Sequence, residues 1–97
     1  MSRFLSLITF TDKGIQDVTQ SINRAAEFRG NVESAGGKVI NQYWTLGELD
    51  GVVVFECPDD KTAAALMLKL GKADNVRSKT MRVFDEAEFS QIVSSVS

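Results

Sequence analysis

Residues 52–71, VVVFECPDDKTAAALMLKLG, contain the two patterns that decide the fold. The run VVVFEC is the most β-prone segment of the chain and is apolar on both of its alternating faces. Residues 58–60, Pro-Asp-Asp, end this strand and provide a helix cap. Four apolar residues then recur on one helical face: Ala63, Leu66, Met67 and Leu70. The stretch predicts a buried strand followed by an amphipathic helix that ends at Gly71.

The N-terminal part of the chain repeats this order of elements. Residues 3–10, RFLSLITF, are β-prone and apolar on both faces, which predicts a second central strand. Residues 11–14, TDKG, offer capping oxygens for a helix that ends at the glycine pair of residues 36–37. Apolar residues recur at helical spacing through this helix: Ile15, Val18, Ile22, Ala25 and Val32.

Two further segments are typical of edge strands. Residues 38–46, KVINQYWTL, mix polar and aromatic side chains and are followed by a turn at residues 47–51, GELDG. Residues 76–84, VRSKTMRVF, alternate charged and apolar side chains. Tyr43 and Trp44 are adjacent, so they are expected to point to opposite faces of the sheet.

The C-terminal segment carries a complete signature for a short helix. Asp85 is placed as the cap, Glu88 follows three positions later, and Phe84 is placed to pack against Phe89. We expect this helix to pack on the domain and to stabilise it. Residues 94–97, at the serine-rich end, are expected to fray.

The order of elements, βαββαβ, predicts an α+β, ferredoxin-like fold in a single domain of residues 1–97. The expected sheet has four antiparallel strands, with strands one and three at its centre and both helices on one face. Because both central strands are apolar on each side, the face without helices also needs a cover. A second copy of the sheet, packed face to face, would provide it, so we expect at least a dimer.

Composition excludes several classes of function. The net charge is −2, from 11 basic and 13 acidic residues, which argues against binding to nucleic acid or to anionic membrane surfaces. No apolar run is long enough for a membrane span. The chain has no histidine and one cysteine, so we expect no metal site, no histidine-based triad and no cofactor. A lone cysteine cannot form an internal disulfide, which favours a reducing cytoplasm.

Reactive side chains are scarce, and they converge at one place in the predicted fold. The end of the first strand and the turn after the second bring together an aromatic ring, carboxylates and glycine-exposed backbone. The candidate ligand-binding residues are Asp12, Trp44, Glu48 and Asp50. Structural alternatives stay open, since Asp12 is also placed to cap the first helix and Asp50 to bond its own backbone in the turn. Cys57 is expected to be a buried small hydrophobe and not a nucleophile.

Residues 45–56, TLGELDGVVVFE, and residues 58–60, PDD, resemble the GYD-domain family of small bacterial and archaeal proteins. The likeness continues in order through residues 10–15, FTDKGI, residues 36–38, GGK, Gly71, residues 75–77, NVR, and Thr80. The resemblance implies a ferredoxin-like fold of the dimeric α/β barrel type and a cytoplasmic oligomer, with no activity established for the family as a class. Leu49 stands where the family has its eponymous tyrosine, so this chain lacks the hydroxyl group of that side chain.

The same strand-turn-strand also resembles the effector-binding domain of leucine-responsive regulators. This sequence contains no segment similar to the DNA-binding helices of those proteins.

Two functional hypotheses follow. The first is a non-catalytic homo-oligomeric module that binds a small molecule or another protein, in a cavity between sheet and helices or between subunits. The second, from analogy with the dimeric barrel superfamily alone, is a cofactor-free oxygenase or isomerase that acts on a small aromatic or lactone-like compound. Without histidine, its base would have to be Asp12, Glu48, Asp50 or Tyr43. We therefore favour the binding module.

Overall fold

The structure is a computed structural model that describes residues 1–96. The strands are β1 (Ser2–Phe10), β2 (Lys38–Trp44), β3 (Gly51–Cys57) and β4 (Val76–Val83). The α-helices are α1 (Asp12–Gln16), α2 (Ser21–Ser34), α3 (Asp60–Lys72) and α4 (Glu86–Ser94), with a 3₁₀ turn at Val18–Gln20.

The four strands form one antiparallel sheet in the order β2-β3-β1-β4. The predicted ferredoxin-like arrangement is therefore confirmed, with β1 and β3 at the centre. In the register of these two strands, Phe4 lies opposite Phe55 and Leu5 lies opposite Val54. An irregularity in β2 between Val39 and Asn41 shifts its pairing with β3 by one residue.

The core lies between the sheet and the two long helices. Its buried residues come from β1, β3, α2 and α3: Phe4, Phe28, Val32, Val53, Phe55, Cys57, Ala63 and Leu66. Phe55 is at the centre, with its ring centroid 5.5 Å from that of Phe4 and 5.7 Å from that of Phe28. Because α2 and α3 both contribute to this cluster, they cover the same face of the sheet, as predicted.

The opposite face of the sheet carries apolar side chains that the helices do not cover. In β3, Val52 and Val54 are half-buried and alternate with buried neighbours that face the core. Their partners across the register also point to this side, and together they form what we call the open sheet face: Leu5, Leu7, Val52, Val54, Tyr43 and Met81. The sequence prediction that one face of the sheet lacks a cover holds for the single chain.

The first predicted helix is interrupted, which corrects the expectation of one continuous helix. At Asp17 the backbone leaves the helical region, with φ −113° and ψ 35°, and a 3₁₀ turn separates α1 from α2. The Arg24 side chain donates to the Asp17 carbonyl at 3.0 Å and to its carboxylate at 2.9 Å, which holds the break in place. Three apolar residues around this break are consequently exposed and lie outside the core: Ile15, Val18 and Ile22.

The cap of α1 is Thr11 and not Asp12. The Thr11 hydroxyl accepts a hydrogen bond from the Gly14 N–H at 3.0 Å, whereas Asp12 is the first residue of the helix and is exposed. A carboxylate in the first helical turn still interacts favourably with the helix dipole, which explains its presence there.

Helix α4 begins as predicted but does not pack on its own domain. Its capping box is complete, since the Glu88 N–H donates to Asp85 at 2.8 Å and the Asp85 N–H donates to Glu88 at 3.1 Å. No residue of α4 is buried, and two ion pairs of 3.7 Å, Arg3–Asp85 and Arg82–Glu88, connect this region to the sheet. The expectation of a docked helix is wrong for the single chain, because α2 and α3 already cover the core. Ser97, in the tail expected to fray, lies outside the described residues.

Two glycines in helices provide a matched test of the fold. A Cβ at Gly14 would lie 1.9 Å from the Asn75 carbonyl oxygen, whereas a Cβ at Gly30 meets no atom within 4 Å. We expect Gly14→Ala to lower the free energy of unfolding by about 1–3 kcal/mol through overpacking. Gly30→Ala should raise it by about 0.5–1 kcal/mol, because alanine is the better helix former. Urea unfolding of both variants measures the difference, and equal effects would contradict the close contact between α1 and residue 75.

Candidate functional site

An apolar cavity of about 80 Å³ lies between the first half of α2 and the adjacent end of the sheet. We call it the inner chamber. Its apolar walls include Ile8, Phe10, Ala25, Phe28, Val53, Leu70 and Val76, and its polar groups come from Ser21, Arg24, Gln42, Trp44 and Asp50. Pockets for drug-sized ligands measure roughly 300–1,000 Å³, so this chamber suits one small ring or a short apolar chain.

Two of the four residues predicted from sequence line the inner chamber. Trp44 and Asp50 are on its wall, and Trp44 is paired with Gly51 at the end of β2. Asp12 and Glu48 are exposed and are not among the lining residues. The structure thus brings the aromatic ring and one carboxylate together, and places the other two carboxylates outside.

Asp50 joins the turn after β2 to the end of β1. Its carboxylate accepts a hydrogen bond from the Phe10 N–H at 2.8 Å, and its own N–H donates to the Ile8 carbonyl at 2.9 Å. Its carbonyl accepts from the Thr45 N–H at 3.0 Å. The side chain therefore forms a hydrogen bond with the neighbouring strand β1. The structural alternative, in which Asp50 bonds its own backbone in the turn, is wrong. This contact fixes the wall of the chamber at the end of β1.

Among the chamber residues that sequence reasoning missed are two polar residues of α2, Ser21 and Arg24. They are three residues apart, so they lie one turn apart on the same side of α2. The Ser21 hydroxyl oxygen is buried and has no hydrogen-bond partner among residues 1–96. Buried hydroxyls in proteins are usually hydrogen-bonded, so this group is available to a polar atom of a ligand. An arginine on a helix is more often a solvated side chain. For this reason the sequence around Ser21 and Arg24 did not indicate a binding site.

Cys57 is part of the hydrophobic core. It is fully buried, its thiol donates to the Asp59 carbonyl at 3.4 Å, and burial raises the pKa of the thiol above its ordinary value. The thiolate is the nucleophilic form of cysteine, so burial makes Cys57 unreactive. The interpretation of this residue as a small buried hydrophobe is confirmed.

Within residues 1–96, no group of three or more cysteine, histidine, aspartate or glutamate side chains is arranged to hold a metal ion. None of the helices in this part of the chain combines the length and the apolar character needed to cross a membrane.

The buried thiol leads to a prediction about reactivity. The native protein should react with a disulfide reagent such as dithionitrobenzoate at least about a hundredfold more slowly than the urea-unfolded chain, because both burial and the raised pKa suppress the thiolate. Between pH 7 and 9 the native rate should stay below that of the unfolded chain and should still be rising in full at pH 9, where the rate of the unfolded chain begins to level off, since the folded pKa lies above the ordinary value of 9.0. Rapid labelling of folded protein at pH 7 would contradict the burial of Cys57.

The contact between Asp50 and β1 leads to a second prediction. Asp50→Ala leaves the Phe10 N–H without its acceptor and should lower the free energy of unfolding by about 1–3 kcal/mol. Asp50→Asn keeps an acceptor oxygen and should cost less than Asp50→Ala. Thermal and urea unfolding of the two variants compare them, and equal losses would show that the hydrogen bond to Phe10 is unimportant.

Comparisons with known proteins agree with this fold. MtbAldR superposes with a TM-score of 0.67 at 12% identity, over 88% of this chain and 54% of MtbAldR. FFRP-DM1 superposes with a TM-score of 0.60 at 19% identity, over 87% of this chain and 100% of the other. The leucine response regulatory protein LrpA of Mycobacterium tuberculosis gives 0.59 at 18% identity, over 87% of this chain and 51% of LrpA.

These identities are low, so the superpositions show a shared fold and nothing further. This chain spans about half the length of MtbAldR and of LrpA. No curated protein sequence matches it significantly. The profile of the GYD domain, in contrast, matches residues 4–93, which is nearly the whole chain. The protein therefore belongs to the GYD-domain family, as the resemblance of its turn and strand motifs indicated.

Proposed function

We propose that this protein is a homo-oligomeric module that binds a small molecule in the inner chamber. The observation that carries the proposal is the buried Ser21 hydroxyl, which has no partner within residues 1–96 and lies on the wall of an otherwise largely apolar cavity. A few polar groups on an apolar wall are typical of sites that fix the orientation of a small ligand. Trp44 and Asp50 would contact the ligand directly, whereas Asp12 and Glu48 would contact only a part that extends outside.

The chamber can be tested with a matched pair of substitutions on α2. Ala25 lies on the chamber wall and is 9% exposed, whereas the neighbouring Ala26 is exposed on the outer side. Ala25→Leu should fill the chamber, and Ala26→Leu should leave it open. Native mass spectrometry of protein purified from its own host should show a small molecule that is released on unfolding, retained by Ala26→Leu and lost from Ala25→Leu. A parent protein without any bound molecule, or one retained by Ala25→Leu, would contradict the proposal.

The proposed oligomer forms through the open sheet face. The single chain exposes 6438 Å², whereas a folded monomer of its mass, 10.7 kDa, exposes about 5,500 Å². Met81 and Tyr43, on the open sheet face, are 45% and 61% exposed, respectively. Contiguous exposed apolar surface of this kind marks interaction sites in soluble proteins. A second copy presents the same surface and would cover it in a two-fold arrangement of the dimeric α/β barrel type.

Leu7 provides the test of this interface. The parent protein should have at least twice the mass of the 10.7 kDa chain at low micromolar concentration. Leu7→Asp places a charge in the interface and should dissociate or unfold the protein, because a buried unpaired charge is very unfavourable. Ile22→Asp changes a residue that is 66% exposed outside the open sheet face and should keep the parent mass. Light scattering measures all three, and a monomeric parent would contradict the proposal.

The same proposal places the protein in the cytoplasm and excludes nucleic acid as a partner. The supporting observations are a lone cysteine that is buried, and a net charge of −2. No cofactor is required for binding.

The alternative function is a cofactor-free oxygenase or isomerase, and one observation favours it. Asp50 is the only carboxylate among the described residues that line the inner chamber, so it is the candidate base for a bound substrate. Its hydrogen bond with the Phe10 N–H gives the carboxylate a structural role instead. For this reason the binding module is the preferred function.

A further inference from the structure

A second cavity adjoins the inner chamber near the C-terminal end of α3. This cavity, which we call the outer groove, has a volume of about 390 Å³ and lies between α2 and α3. Its charged lining residues are Arg24, Glu27, Lys69 and Lys72. Three of these four side chains are positive, so the outer groove is basic in a protein whose overall charge is negative.

The inner chamber and the outer groove share part of their walls. Four residues line both: Arg24, Phe28, Leu70 and Val76. Three of these are apolar, and the fourth, Arg24, carries a charge at the boundary. A molecule bound at this boundary would therefore contact apolar surface on one side and basic side chains on the other.

Arg24 has capacity for a further anion. Its guanidinium group has five N–H donors. Three contacts are made within the chain, to the Asp17 carbonyl at 3.0 Å, to the Asp17 carboxylate at 2.9 Å and to the Gly14 carbonyl at 3.5 Å. The contacts with Asp17 and Gly14 hold the guanidinium group in place and leave donors for an acidic group of a ligand.

The two lysines of the outer groove are not engaged in ion pairs within residues 1–96. Lys69 donates to Asn31 at 3.4 Å, and Lys72 makes no side-chain hydrogen bond with a described residue. Among residues 1–96, Glu27 is the only acidic residue that lines this groove. Asp50 lines the inner chamber and not the outer groove. The basic charge of the groove is therefore available to a bound anion.

We infer that the ligand is a small amphipathic anion, with its apolar body in the inner chamber and its acidic group at Arg24 in the basic outer groove. This inference rests on the proposed binding role of the chamber and specifies the chemical class of the ligand. A short-chain or aromatic carboxylic acid has this chemistry. The Ser21 hydroxyl, on the chamber wall one helical turn before Arg24, is an additional donor for such a ligand.

Octanoate and 1-octanol are a matched pair of probes, because they share an alkyl chain and differ in charge. We expect the parent protein to bind octanoate about fivefold or more tightly than 1-octanol at low salt, which corresponds to at least one favourable exposed charge contact. The preference should shrink when the salt concentration rises, because the groove is open to solvent. Titrations followed by calorimetry and by the methyl resonances of Val53 and Leu70 measure affinity and location together.

A pair of double variants separates the charge of the groove from the charge of the whole protein. Lys69→Gln with Lys72→Gln should weaken octanoate binding and so reduce the preference over 1-octanol, while Arg24 still contacts the acidic group. Lys38→Gln with Lys61→Gln changes the net charge equally at two exposed residues that line neither cavity, and should keep the preference.

The outcomes distinguish this inference from the proposed function. Equal affinities for the two probes, with methyl shifts at Val53 and Leu70, would overturn the anionic ligand class and support the chamber as a binding site. A preference for octanoate that is undiminished in Lys69→Gln with Lys72→Gln would also overturn it. If neither probe perturbs Val53 or Leu70 in the parent protein, both the inference and the binding role of the chamber are contradicted.

Discussion

The two central strands, β1 and β3, are apolar on both faces, and the rest of the structure depends on covering them. One face is covered by α2 and α3, which bury Phe55 completely between Phe4 and Phe28. Nothing in residues 1–96 covers the other face. Burial of apolar surface is the main favourable term in folding, and a chain of this size buries only about 60–65% of its surface alone. The proposed self-association would therefore also stabilise the domain.

The same constraint explains where the inner chamber lies. The helical segment is interrupted at Asp17, and α2 begins at Ser21. The first turns of α2 consequently lie beside the last residues of β1 and the first residue of β3, Gly51. Because Gly51 has no side chain, the sheet leaves space beneath the helix at this residue. A Cβ at Gly51 would lie 3.1 Å from the Tyr43 carbonyl oxygen, so the backbone is closely packed here. Asp50 holds the adjoining turn against β1 through the Phe10 N–H. The chamber is thus a gap between elements that these contacts hold in place.

Much of the fold could be predicted from the sequence because strong local signals agree with tertiary packing. The run VVVFEC, the Asp59 cap of α3 and the capping box at Asp85 all appear in the structure as expected. The break at Asp17 could not be predicted, because it depends on hydrogen bonds from Arg24, seven residues away. The candidate site was predicted in part: Trp44 and Asp50 follow from the predicted convergence of the end of β1 with the turn after β2, whereas Ser21 and Arg24 become recognisable only when α2 lies on the sheet. Whether α4 packs on the domain depends on which faces of the sheet α2 and α3 already cover. The local sequence of α4 does not contain this information.

The central claim is that the open sheet face is covered by the same face of a second copy. Isotope-filtered nuclear Overhauser spectra of a mixture of labelled and unlabelled protein test it most directly, because they detect only contacts between chains. The account predicts intermolecular contacts that involve the methyl groups of Leu5, Leu7, Val52 and Val54, which point away from the helices. Intermolecular contacts confined to other surfaces, or none at concentrations where the mass exceeds that of one chain, would contradict it.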